Sequence, residues 1–107
     1  MNIIKRNTLE YYKKKYPLAK TALDDWYDQF GRTNFKSHQE LKEVYGHASI
    51  VGNSRVVFNI KGTTHRLVVM IRYDIGFAYI IWFGTHVEYN RINVETINFD
   101  QKIQENK

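Results

Sequence analysis

The chain has 107 residues, 43% of them hydrophobic and 15% aromatic, which supplies core material for one domain and excludes an intrinsically disordered chain. It has no cysteine, so disulfide stapling and thiolate chemistry are excluded, and its longest apolar run, Phe77 to Phe83, is far too short to span a bilayer. The net charge is +5, with six basic residues against Glu10 in positions 1–20, an acidic middle and a second basic zone over 51–91, a distribution suited to a polyanion such as RNA. Nothing at the N-terminus has the charged segment and apolar core of a signal peptide, so a cytoplasmic location is expected.

Ile3-Ile4, within Asn2 to Lys5, predicts a short opening strand. Asn7 or Thr8 can cap a helix running to Tyr16, with Leu9, Tyr12 and Tyr16 on one face and Pro17 as its stop. Leu23, Trp26, Tyr27 and Phe30 recur at helical spacing, so a second amphipathic helix is expected over 18–30, closed by Gly31 and exposing Asp24, Asp25 and Asp28. Ser37-His38-Gln39-Glu40 has capping-box spacing and opens a third, shorter helix whose Leu41, Val44 and Tyr45 point inward, with Gly46 ending it.

After Gly52-Asn53 the period changes from helical to alternating. Arg55–Ile60, His65–Tyr73 and Phe77–Phe83 predict three antiparallel strands joined at Lys61-Gly62-Thr63-Thr64 and Asp74-Ile75-Gly76. Val56, Phe58 and Ile60, with Leu67, Val69 and Ile71, form the face expected to pack on helices. The opposite face carries Arg55, Asn59, Arg66 and Arg72 among apolar residues, more polarity than a buried sheet face needs. One domain is expected over 1–97, with a polar tail over 98–107.

The stretch Gly84 to Ile92, GTHVEYNRI, follows the most apolar strand and gathers His86, Glu88, Tyr89 and Arg91 where the chain leaves the core. RNA cleavage without a metal requires the ribose 2′-hydroxyl to lose a proton, the phosphorane charge to be stabilised and the leaving 5′-oxygen to gain a proton. An imidazole, a phenol and a guanidinium cover those tasks, so His86, Tyr89 and Arg66 are the candidate catalytic residues. Arg55, Asn59, Lys61, Arg72 and Arg91 are the candidate RNA-binding residues. Each has a competing structural role: His86 as a surface or capping histidine, Tyr89 as a core-edge aromatic, Arg66 in an ion pair with Glu88, and Asn59 as a backbone tether. Lys13, Lys14 and Lys15 read as a solvated helix face. His38, His47 and His65 lack the spacing of metal ligands, and no metal or other cofactor is expected.

In order, VGNSRVVFNI (Val51 to Ile60), HRLVVMI (His65 to Ile71), the aromatic strand and the G-T-H-x-E-Y turn (Gly84 to Tyr89) resemble the HigB toxins, ribosome-dependent mRNA interferases of the RelE-like superfamily. The resemblance covers most of the chain. It implies an α+β fold in which N-terminal helices pack on one face of a curved antiparallel sheet, leaving a basic concave face for mRNA on the ribosome. It also implies a cognate helix-turn-helix antitoxin of HigA type. The chain departs from the pattern at Asn90, where relatives commonly carry Asp, and at Thr64 and Met70, where many carry Lys; Lys61 and Arg72 are the nearby basic groups. A non-catalytic RNA- or protein-binding domain using the same basic face is the competing reading.

Overall fold

The computed structural model describes residues 1–4 and 6–98. In chain order the elements are β1 (Asn2–Ile4), α1 (Arg6–Lys15), a 3-10 turn (Pro17–Ala19), α2 (Lys20–Arg32), α3 (His38–Val44), β2 (Ser49–Val51), β3 (Arg55–Ile60), β4 (His65–Arg72), β5 (Phe77–Thr85) and α4 (His86–Tyr89). The five strands form one sheet in the order β1-β5-β4-β3-β2. The architecture is α+β as expected, but the sheet is mixed: β1 runs parallel to β5, pairing Asn2 with Phe77 and Ile4 with Tyr79, while the other pairs are antiparallel. The two parallel strands are joined through α1, α2, α3 and the other three strands, far more chain than the roughly dozen residues a parallel connection needs.

The helices arise largely where the apolar spacing put them. Pro17 leaves α1 and opens the 3-10 turn, and α2 buries Leu23, Trp26 and Phe30. Gly31 does not end α2, which continues to Arg32. Thr8 is buried in the first turn of α1 instead of capping it. In α3, Ser37 accepts from the Glu40 backbone N–H at 3.2 Å, while the Glu40 carboxylate reaches the N–H of Lys36, so the box closes one residue further back. Leu41 is fully buried, but Val44, expected to point inward, is 64% exposed because α3 lasts only two turns and Val44 falls at its solvent-facing end.

One cluster holds the core: Leu9, Tyr12, Leu23, Trp26, Phe30 and Leu41 from the helices meet Val56, Phe58, Ile60, Leu67, Val69, Ile71, Ala78, Ile80 and Phe83 from the sheet. Its centre is aromatic. Trp26 stacks on Phe30 with centroids 4.9 Å apart, and Phe58 meets both edge-on at 5.4 and 5.5 Å. Strict alternation fails in β5, where Val68 pairs with Trp82 but Val69 pairs with Ile80, leaving Ile81 as a bulge. The bulge lets Ile80 and Phe83, three residues apart, both face the core.

The second sheet face is the larger departure. Val57 and Val68 are buried yet stand outside the main cluster. The chain from Asn93 to Asn98 is bound over this face: Ile97 donates its N–H to Asn93 at 2.8 Å to form a single turn, and Arg55 donates to the carbonyls of Val94 and Ile97. Asn53 adds a bond to the carbonyl of Glu95 at 3.0 Å. Asn98, the first residue of the expected tail, lies within this clasp, and 99–107 fall outside the described residues.

Candidate active site

One end of the sheet collects most of the chemistry. It is formed by the end of β3, the β3–β4 turn, the start of β4, the end of β5 and α4. Across three strands Asn59 pairs with Arg66 and Arg66 with Gly84, a row on the face away from the helices that runs from exposed Asn59 through half-buried Arg66 to buried Gly84. Asn59 is exposed and lines two adjoining hollows, of about 430 Å³ and about 330 Å³, between the β3–β4 turn and the helices α2 and α3.

The turn is tightly specified. Lys61 at φ 55° and Gly62 at φ 65° occupy the left-handed region, which costs a non-glycine residue such as Lys61 about 1 kcal/mol. That conformation aims the Lys61 carbonyl at Thr64, which donates to it both its backbone N–H at 3.3 Å and its hydroxyl at 2.7 Å. The Thr64 carbonyl in turn accepts the N–H of His86 at 3.0 Å. The turn is thus pinned by its backbone to the start of α4, which places Lys61, Arg66 and His86 around it along the chain.

Arg66 does not pair with Glu88. Its guanidinium donates to the carbonyls of Thr63 at 2.8 Å and His65 at 3.0 Å, which fixes it beside the turn while consuming only one of its nitrogens. Glu88 is occupied elsewhere: its Oε1 accepts from the Thr85 N–H at 2.8 Å, the Thr85 hydroxyl at 3.1 Å and the Tyr16 hydroxyl at 2.7 Å. With the Glu88 N–H donating to Thr85 Oγ1, this is a complete capping box, so a four-residue helix stands where isolated propensity would not hold one. Burial opposes ionisation of Glu88, but the bonds from Thr85 and Tyr16 outweigh it and keep its pKa below the ordinary carboxylate value. Burial and the same carboxylate push the Tyr16 phenol well above its usual range.

His86 is the first residue of α4 and is exposed. Tyr89 is half-buried with its ring 6.4 Å from that of Trp82. Arg91 is exposed just beyond α4, its N–H bonded to the carbonyl of Glu88 at 3.0 Å. Asn90 caps α4 in a right-handed conformation and is exposed, with its N–H on the carbonyl of His86 at 3.1 Å.

Two of the expected RNA-binding arginines stand apart from this group. Arg55 is 4% exposed, and burial lowers the pKa of its guanidinium, whose Nη1 and Nη2 bond to the C-terminal segment while its Nε is buried without a partner. Arg72 closes the other end of β4, six residues from Arg66 and so roughly 20 Å away, and grips Asp74 through Nε at 3.1 Å and Nη2 at 2.9 Å. Within the lysine run, Lys13 is held between Asp24 at 2.7 Å and Glu10 at 2.8 Å, whereas Lys15 lies 5.5 Å from the centre of the Tyr16 ring. Among the described residues no cluster of three or more His, Asp or Glu side chains is arranged to hold a metal ion. No described helix is long and apolar enough to cross a membrane.

Sequence reasoning passed over three residues that build the site. Thr85 completes the capping box, and the Thr-x-x-Glu spacing that signals it was present in Thr85 to Glu88. Tyr16 anchors α4 across 72 residues of chain, which no local pattern shows. His65, dismissed as a metal ligand, stacks on Phe83 with centroids 5.3 Å apart and planes at 5°.

A mixed sheet covered on one face by helices, with a guanidinium, two imidazoles and a lysine at one end, defines a small basic α+β protein compatible with a RelE-like toxin. The chain belongs to the HigB toxin family, the RelE-like toxic component of a toxin-antitoxin system, whose family model matches residues 19–92. Membership carries with it an antitoxin partner. No curated protein sequence matches the chain significantly.

Proposed function

We propose that this toxin is a metal-independent endoribonuclease that cleaves translated mRNA on the ribosome, acting within a single domain over 1–97 and silenced by a helix-turn-helix antitoxin of HigA type. The observation that carries the reading is the grouping of Arg66, His86 and Lys61 around the β3–β4 turn in a chain of this family, with Tyr89 on the same short helix as His86. The Arg66 guanidinium keeps donor capacity beyond its two carbonyl bonds and is placed to stabilise a phosphorane. His86 and Tyr89 supply proton transfer, and Asn59, Lys61 and Arg91 hold the flanking backbone. Attack by the 2′-hydroxyl gives a 2′,3′-cyclic phosphate and a 5′-hydroxyl, so DNA resists. Acid–base help supplies about 10²–10⁴-fold per group, which leaves much of the acceleration to placement of the mRNA by the ribosome and makes free RNA a poor substrate.

The test is primer extension on mRNA in a translating extract. New 5′ ends that depend on the toxin support cleavage. His86→Ala and Tyr89→Phe are each expected to cut the rate by about 10²-fold or more while leaving ribosome association intact. Ribosome binding with no new 5′ ends in the wild type would favour the non-catalytic reading, and full activity in both variants would remove these residues from the mechanism.

A further inference from the structure

His65 opens β4 on the face that carries Leu67 and Val69, at the margin of the helix-covered core. Its ring is clamped, lying flat on Phe83 and meeting the Tyr16 ring edge-on at 5.6 Å and 81°. Its Nδ1 is 2.8 Å from the Thr64 hydroxyl. A hydroxyl has one proton, and that of Thr64 goes to the Lys61 carbonyl 2.7 Å away. The bond to His65 therefore runs from Nδ1–H to the Thr64 oxygen, which leaves Nε2 of the neutral ring as the unprotonated nitrogen. A fixed ring, a fixed tautomer and a basic Nε2 are the properties of a general base.

We infer that His65, half-buried beside the Lys61–Thr64 turn, is the general base of the cleavage site, with Thr64 as the positioning residue that sets its tautomer. The inference rests on the ribonuclease reading above and assigns one proton transfer within it. Thr64 ties the two histidine residues together, accepting the backbone N–H of His86 on its carbonyl and the ring Nδ1–H of His65 on its hydroxyl. Nε2 of His65 takes the 2′-hydroxyl proton as the O2′–P bond forms and the P–O5′ bond breaks. The leaving O5′ takes a proton from His86 or Tyr89. The products are a 2′,3′-cyclic phosphate and a 5′-hydroxyl, His65 ends protonated, the acid ends deprotonated, and solvent restores both. The charged and titratable groups facing His65 are Lys61 from the turn, Glu88 from α4 and Tyr16 from the end of α1, with the Arg66 guanidinium on the His65 carbonyl. Burial first and Lys61 second lower the His65 pKa, against a smaller opposing pull from Glu88, so the ring is neutral and competent at physiological pH.

The experiment measures kcat and KM for mRNA cleavage in a translating extract, with a pH profile, for the wild type, His65→Phe, Thr64→Val and Thr64→Ser. Phenylalanine keeps a flat ring against Phe83 and removes the base. The wild type is expected to show kcat/KM rising tenfold per pH unit on the acid side, with an inflection below that of a free imidazole. His65→Phe is expected to lose about 10²–10⁴-fold in kcat and that acid limb while binding ribosomes and antitoxin normally. Thr64→Val should lower kcat about tenfold at unchanged KM, and Thr64→Ser should restore it. Wild-type toxin that yields no new 5′ ends defeats the ribonuclease reading itself. A cleaving wild type with His65→Phe within threefold of it overturns only the role of His65. If His65→Phe fails to fold, Thr64→Val with unchanged kcat and an unchanged acid limb overturns the inference equally.

Discussion

Arg55→Ala should destabilise the protein rather than weaken its grip on RNA. The guanidinium is 4% exposed and makes a bond of 2.9 Å to the Val94 carbonyl, a second to the Ile97 carbonyl and a long third to Asn98 Oδ1 at 3.4 Å. Hydrogen bonds to a charged group contribute about 1.5–3 kcal/mol each, so the two shorter bonds represent about 3–6 kcal/mol. Part of that returns on mutation, because the freed carbonyls reach water and the released segment regains chain entropy. The net loss should be about 2–4 kcal/mol. At about 4 °C per kcal/mol for a chain of this size, Tm should fall by about 8–16 °C. Urea denaturation measures the free energy, and hydrogen exchange at the Ile97 amide, bonded to Asn93 at 2.8 Å, reports whether the segment itself is released. A variant within about 0.5 kcal/mol of the wild type, with weakened ribosome association, would refute the structural role and return Arg55 to the RNA-binding set.

Gly84→Ala should be destabilising by about 1–3 kcal/mol and should also reduce cleavage, because the added Cβ would lie 2.5 Å from Cη2 of Trp82 and 2.9 Å from Glu88 Oε1. Thermal melts and cleavage rates measured together test this, and an unchanged pair would mean the ring and carboxylate shift freely. Glu88→Gln should flatten the pH dependence of stability on the acid side. The folded pKa of Glu88 lies below its ordinary value, so its contribution is complete above the ordinary carboxylate range and is lost as pH falls through that range to the lowered folded value. Parallel stability curves for wild type and variant across that range would show that the capping box and Tyr16 do not favour the ionised carboxylate.

The elements were legible where side-chain periodicity decides the structure. Leu23, Trp26 and Phe30 marked α2, and Val56, Phe58 and Ile60 marked the covered face of β3, because burial of one stripe or one face leaves a period in the chain. Features decided by distant partners were not legible. The three-residue strands β1 and β2 are too short for a period of two to be diagnostic of direction or pairing, and β1 pairs in parallel with a strand more than 70 residues later in the chain. The bulge at Ile81 reverses the alternation within an all-apolar strand, where both faces read alike. Among the candidate site residues, Arg66 and His86 stand out in the sequence from their chemistry and neighbourhood. Tyr16 and His65 were missed because an aromatic at the end of a helix and a histidine at the start of a strand have no local mark of what they will face.

The arginines of the sheet show why residue type on a strand face is insufficient to locate a binding surface. Arg55, Arg66 and Arg72 all point away from the main core and read identically in sequence, yet three different surroundings decide their tasks. Arg55 meets the carbonyls of Val94 and Ile97 in a turn of the C-terminal segment and donates to both, so it becomes the clasp of that segment. Arg72 meets Asp74 two residues on, and its charge is locally cancelled in solvent. Arg66 meets only the carbonyls of Thr63 and His65, which orient the guanidinium without neutralising it, while the one nearby carboxylate, Glu88, is held by Thr85 and Tyr16. The C-terminal segment covers the Arg55 part of this face and Trp82 and Glu88 close over Gly84, so exposed Asn59 and half-buried Arg66 are what the face presents at this end of the sheet. Arg55, expected among the RNA-binding residues, instead fastens the C-terminal segment to the sheet.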